Sequence, residues 1–278
     1  MIHFSAFADE ASPEISGQIA AMARNGISLL EIRGVNGVNI SKISDRTAKE
    51  VKRQLDDAGI TVWSMGSPIG KHKLEASFEE HLESHKRIVE LADILGAKRI
   101  RMFSFFPIEG ESNDQTQERV FERLQKLCDA TPKEILLCHE NEKHIFGETA
   151  ENCLTIHKEF PAIRAVFDPA NFVQCGVDTL YAWELLKDYV AYIHIKDALA
   201  DGVVVPAGQG IGNVPQIVQK YVAQGGSVMT LEPHLTAFTG LDKLENGESL
   251  KPGLAVYQNN DEAFDAAVSA LRGITASL

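Results

Sequence analysis

Four stretches of this 278-residue chain place acids and a histidine directly after apolar runs. The first is Glu134-Ile135-Leu136-Leu137-Cys138-His139-Glu140-Asn141-Glu142-Lys143, which begins apolar and turns abruptly polar. The other three end in Asp168-Pro169-Ala170-Asn171, His194-Ile195-Lys196-Asp197 and Glu232-Pro233-His234. Charge at the end of a buried strand is costly unless it is paired or bound to a metal. For any single acid, an ion pair with a nearby Lys or Arg is explanation enough. Four polar strand ends in succession ask for more. Glu140, Asp168, His194 and Glu232 together form a hard, oxygen-rich donor set. It suits one divalent cation, Mn2+ before Mg2+, Co2+ or Zn2+, and differs from a thiolate zinc site.

Alternation along the first stretch sorts its side chains. Leu136, Cys138, Glu140 and Glu142 share one face, and Leu137 and His139 share the other. If the small Cys138 points into a barrel, so does Glu140. His139 then faces the helices, as a structural histidine or as the partner that orients a ligand. Glu142 lies above Glu140, at substrate height or in an ion pair with Lys143. Lys71, Arg101 and Lys196 are cations at the same level, suited to substrate hydroxyls, a carboxylate or an enediolate-like charge. Trp63, Phe103, Phe105 and Phe106 offer an apolar wall for a sugar ring, with core packing the plainer reading of Phe103. Gly208-Gln209-Gly210-Ile211-Gly212 has the look of a phosphate loop but lacks a Lys-Ser or Lys-Thr ending. It reads as a mobile loop beside the site, with Gln209 a substrate contact.

The spacing of these stretches says what must position them. Asp168 follows Glu140 by 28 residues, His194 follows Asp168 by 26, and Glu232 follows His194 by 38. Each step is about one βα unit. Strands are expected at 2–7, 28–33, 60–65, 98–103, in the first stretch, and at 163–167, 190–195 and 227–231. Amphipathic segments fall between them, opened by signals such as Ser12-Pro13-Glu14 and closed by Gly26, Gly59 and Gly96. Eight alternating βα units in one chain of this length predict a single-domain (β/α)8 barrel over residues 1–278. Reactive groups in such a barrel sit where strands end. Residues 235–260 form a long irregular segment: a lid, an interface arm or a surface loop.

Composition excludes several partners. There are 27 Lys and Arg against 39 Asp and Glu, a net charge of −12. That disfavours a nucleic-acid backbone or an anionic membrane as partner. No run approaches a membrane span, and the N-terminal residues lack a basic leader. Cys128, Cys138, Cys153 and Cys175 contain no CxxC pair and read as reduced thiols. The expected compartment is the cytoplasm, and a homo-oligomer is compatible with everything above.

The motifs resemble those of the xylose isomerase-like TIM-barrel superfamily, the group that includes sugar phosphate isomerases and epimerases, inosose isomerases and dehydratases, ketose 3-epimerases and endonuclease IV-type barrels. The resemblance runs from Ser5-Ala6-Phe7-Ala8-Asp9-Glu10 to Leu231-Glu232-Pro233-His234-Leu235. Its most specific pieces are residues 137–142, 167–172, and 194–197 with 206–210. It implies Glu140, Asp168, His194 and Glu232 as metal ligands, with Glu140 and Glu232 also moving protons. Asn171 stands where the ketose epimerases carry a histidine, and is taken here as a substrate contact. Their arginine shortly after the metal-binding histidine is not evident. Both departures weigh against a free-ketose 3-epimerase and leave the metal site intact.

The expected function is a metal-dependent isomerase or epimerase of a sugar, keto-sugar or keto-inositol, working through an enediolate. A dehydratase or lyase on the same site is the alternative. An endonuclease-type phosphodiesterase would need extra histidines for several metals, and a sugar-binding barrel without catalysis would need none of the proton chemistry.

Overall fold

The strands are four to six residues long, and most turn apolar side chains outward to the helices. The computed structural model describes residues 1–239, 257–276 and 278. Its barrel strands are β1 (His3–Ala6), β2 (Leu29–Ile32), β3 (Thr61–Gly66), β4 (Arg99–Met102), β5 (Leu136–Glu140), β6 (Ile163–Phe167), β7 (Val190–Ile195) and β8 (Val228–Leu231). Each pairs in parallel with its neighbours in the order β1-β8-β7-β6-β5-β4-β3-β2, and β2 closes on β1. The protein is therefore a single-domain (β/α)8 barrel. The helices are α1 (Ile15–Arg24), α2 (Asp45–Asp57), α3 (Glu79–Leu95), α4 (Asn113–Asp129), α5 (Ala150–Glu159), α6 (Pro169–Gln174), α7 (Thr179–Leu186), α8 (Val214–Ala223) and α9 (Asn260–Thr275). No helix among the described residues is long and apolar enough to cross a membrane.

Local chemistry explains the helix ends. Ser44 accepts from Thr47 N to open α2, and a Ser112–Gln115 capping box opens α4. Gly96 closes α3 at φ 77°, a left-handed position that suits a residue without a Cβ.

Period-two alternation divides the strands. Leu30, Ile32, Ile100, Met102, Leu137, Ile163, Phe167, Ile193, Met229 and Leu231 join the helices in the main apolar shell. Cys138, Val166 and Tyr192 form a separate small cluster inside the barrel. Cys138 thus points inward, and Glu140 follows it, as the alternation required. Of the irregular segment 235–260, residues 240–256 lie outside the described residues. Leu235 at its start is buried, and Asn260 at its end opens α9.

Candidate metal centre

Glu140, Asp168, His194 and Glu232 meet at the C-terminal mouth of the barrel. One ligand atom from each lies within 4.8 Å of the others, and all four residues are buried. His194 Nδ1 lies 3.1 Å from Glu140 Oε1 and 3.2 Å from Glu232 Oε2. The parallel register places these groups: Cys138 pairs with Arg164 and Thr230 with His194, so the strand ends reach one level. Asp168 sits one residue beyond β6 and caps α6, accepting from Asn171 N at 2.9 Å. Pro169 follows at the first helical turn, where its missing N–H is harmless.

A second ring of groups holds these four. Asn141 locks the β5 and β6 ends together, donating to Asp168 O and accepting from Asp168 N, both at 2.9 Å. Asn171 Nδ2 donates to Glu140 Oε1 at 3.2 Å. On the far side of the imidazole, His194 Nε2 lies 3.2 Å from Glu31 Oε2. Glu31 is fully buried and also accepts from Tyr192 OH at 2.8 Å. This leaves Nδ1 as the nitrogen that faces the three carboxylates.

Cations are threaded between the acids. Lys196 Nζ lies 3.0 Å from Asp168 Oδ2 and 3.3 Å from Glu232 Oε2. Arg101 Nε lies 3.3 Å from Glu140 Oε2. Arg33 spans Asp9, Glu10 and Glu232, each at 3.0 Å. Burial pushes the Asp168 carboxyl up to about 7, with Lys196 opposing and Glu140 and Glu232 adding to the rise. Burial also raises Glu10, to about 8, against the pull of Arg33. For Glu232, Lys196 and His234 outweigh burial and hold it well below the usual carboxylate range. For His194, Glu140 and Glu31 outweigh burial and hold the imidazole well above its ordinary value. A cation at Nδ1 would therefore displace a proton.

The residues fit a divalent ion. Asp168 Oδ2 is buried without a hydrogen bond among the described residues; Lys196 is close in charge but not aligned to donate. Three carboxylates and one imidazole match the oxygen-rich preference of such ions. A second convergence, of Glu10, Glu232 and His234, also falls within 4.8 Å. There the Arg33 guanidinium already supplies the positive charge.

The remaining expected residues divide. Lys71 and Glu142 form an ion pair at 2.8 Å, the second of the two roles open to Glu142. The partner is Lys71 rather than Lys143, whose backbone N–H donates to Glu142 instead. Phe103 is buried, but not in the main shell: Lys71 and Arg101 lie over its ring at 4.7 and 4.6 Å. Its burial agrees with core packing, and the two cations place its ring beside the site. Phe105 belongs to the shell, and Phe106 is half-buried with its backbone joined to the loop after β3. Trp63 is corrected outright. It sits near the start of β3, stacked under Arg99 at the opposite end of the barrel, because strand direction carries early residues away from the C-terminal mouth. His139 faces the helices beside His157, as the alternation expected, and neither ring nitrogen has a hydrogen-bond partner among the described residues. Gln209 is exposed. Its loop is pinned rather than mobile: Asp197 accepts from the N–H groups of Ala198, Gly208, Gly210 and Gly212 at 2.9–3.0 Å. The glycines wrap a carboxylate of this chain, not a phosphate.

Sequence reading missed Asp9, Glu10, Glu31, Arg33 and His234. The signal was present in Leu30-Glu31-Ile32-Arg33, where two charges alternate with two apolar residues on a buried strand.

Among curated proteins, none matches this sequence. Solved structures do match. A probable 3-DHS dehydratase involved in petrobactin synthesis in Bacillus anthracis is 16% identical with a TM-score of 0.74, covering 98% of each chain. D-psicose 3-epimerase from Clostridium cellulolyticum H10, solved with D-tagatose, is 14% identical with a TM-score of 0.72, covering 99% of each. An IOLI protein with a bound zinc atom is also 14% identical at 0.72, covering 100% of this chain and 99% of its own. At such identities the likeness establishes the fold. The sequence also fits the family model of the xylose isomerase-like TIM barrel over residues 19–256, and the chain belongs to that family.

Proposed function

We propose that this protein is a cytoplasmic, divalent-metal-dependent isomerase or epimerase of a sugar, keto-sugar or keto-inositol. The observation that carries the reading is the convergence of Glu140, Asp168, His194 and Glu232 within 4.8 Å at the catalytic end of a barrel. The likeness to an epimerase solved with a ketose and to a zinc-bearing barrel supports it. A bound divalent cation, Mn2+ by preference, would polarise a substrate carbonyl and acidify the neighbouring C–H. Glu140 and Glu232 approach from β5 and β8, and would remove that proton and return one. Asn171 and Arg101 fix Glu140, and Arg33 fixes Glu232. Lys196, already between Asp168 and Glu232, would receive the negative charge that develops on the substrate oxygen. The Lys71–Glu142 pair and the Phe103 ring would meet hydroxyls and a sugar face.

Elimination is the second reading, favoured by the likeness to the dehydratase. The same proton removal would be followed by loss of a hydroxyl on the next carbon. NMR in D2O with Mg2+-loaded protein and a panel of ketoses, 3-keto-glycosides and inososes separates the outcomes. Deuterium at the carbon beside the carbonyl with a new epimer or isomer is expected; a dehydrated product establishes elimination. Absence of exchange across the panel by fully loaded protein overturns both. Several metals per chain would point to phosphodiester chemistry instead.

A further inference from the structure

The N-terminal end of the barrel holds a cavity of about 620 Å³, remote from the metal centre. It is lined by residues at the starts of β4, β6, β7 and β8, among them Arg99, Arg164, Val190 and Val228, with Trp63 from β3 and Tyr221 from α8. Two arginines enter it. Arg99 leads β4 and Arg164 is the second residue of β6, so they flank β5 on either side. Both guanidinium charges reach the buried Cys138 above them and pull against the burial that raises its thiol.

Their partners are unusual for this protein. The chain carries twelve more acids than bases. Yet among the described residues neither Arg99 nor Arg164 forms an ion pair with a carboxylate. Arg164 donates to the backbone oxygen of Asp188 at 2.7 Å. The guanidinium carbon of Arg99 lies over the Trp63 ring, 3.6 Å from its centroid. Stacking on an aromatic face holds a guanidinium in place and leaves its in-plane N–H fork unspent. Lys187, the third cation in the lining, is spent on Glu184 at 2.5 Å. Among the described residues Asp188 is the single carboxylate in the lining, and it is exposed. Two half-buried like charges facing one cavity repel each other unless an anion comes between them.

We infer that this cavity is a binding site for a phosphate-class oxyanion, held by the forks of Arg99 and Arg164. Arginine is the side chain whose planar donors match such an anion in pairs. The site is independent of the metal centre and of the reaction proposed for it.

Isothermal titration of the full chain with inorganic phosphate tests this, with sulfate and a sugar phosphate as further arms. Saturable binding of one phosphate per chain is expected. Losing one charged fork should weaken it about tenfold in Arg99→Gln or Arg164→Gln. Arg53→Gln, on the outer face of α2, should leave binding unchanged. Asp188→Asn, which removes the competing carboxylate, should tighten it severalfold. That gain also keeps the test decisive should an arginine variant fail to fold. Tighter binding of the sugar phosphate than of phosphate would identify a metabolite as the source of the anion. No saturable binding to the unaltered protein, or equal binding by the four variants, would overturn the proposal.

Discussion

The two mouths of the barrel use the same cationic side chain in opposite ways. At the C-terminal mouth, Arg33 is enclosed by Asp9, Glu10 and Glu232, and Arg101 leans on Glu140. At the N-terminal mouth, Arg99 rests on an indole and Arg164 on a backbone carbonyl. In the first setting the guanidinium is a scaffold that fixes where carboxylates point. In the second no carboxylate among the described residues claims it. The difference follows from strand direction and register, which send one set of inward positions to a crowd of acids and another to solvent.

The sharpest way to break this contrast is to remove the chemistry from the first mouth. Glu140→Gln or Glu232→Gln should lower solvent exchange of the substrate proton by about 10³-fold, within the range of a lost general base, with unchanged circular dichroism. Wild-type exchange in either variant would sink the proton-transfer assignment. Next in size is Arg33→Ala, which takes the guanidinium from the buried Asp9 and Glu10 and leaves Glu232 to Lys196. Urea unfolding should show a loss of about 3–5 kcal/mol. Arg99→Ala at the other mouth should cost less than about 1 kcal/mol, because no buried acid is stranded. Equal losses would erase the distinction between the two settings.

Metal content gives the third test. Elemental analysis after reconstitution should find one divalent ion per chain, and Asp168→Asn should reduce that occupancy about tenfold or more at limiting metal. Unchanged occupancy would remove Asp168 from the ligand set. A smaller effect concerns the helical shell, which belongs to neither mouth. Burial pushes His81 down to about 3, and His85 and His157 to about 4, from an ordinary 6.5. Their folded-state values lie below the unfolded ones, so their contribution is complete above pH 6.5 and is lost as pH falls toward 4. The melting temperature should decline over that window. His157→Gln should flatten the decline; if Glu140→Gln flattens it more, the mouth and not the shell governs acid sensitivity.

Half of the candidate site was legible because β5 to β8 announce it. Each of those strands is an apolar run that breaks into an acid or histidine, and the spacing repeats with the βα unit. Alternation from Cys138 was enough to aim Glu140 inward and His139 outward. The contribution of β1 and β2 was harder to see. Asp9 and Glu10 follow Phe7-Ala8 in what reads as the approach to a helix, and they become site residues only when β8 closes beside β1. Glu31 and Arg33 look like ordinary polar positions until the barrel gives their face an inside. Trp63 was misplaced by residue type: an aromatic suggested a sugar platform, while its early place in β3 decided its position. The loop around Gln209 was expected to be mobile because its glycines read as freedom, whereas they serve Asp197.

That glycine loop carries a lesson for anyone wishing to alter the protein. At Gly210 a Cβ would come within 2.3 Å of Asp197 Oδ1, and at Gly212 within 2.7 Å of the same atom. Gln209, just before Gly210, and Ile211, between the two glycines, are exposed, Ile211 by 54%. Fixed and free positions therefore alternate along one short turn. A library that randomises 209 and 211 and spares the glycines would vary the protein's outer surface there while the carboxylate grip beneath keeps its shape.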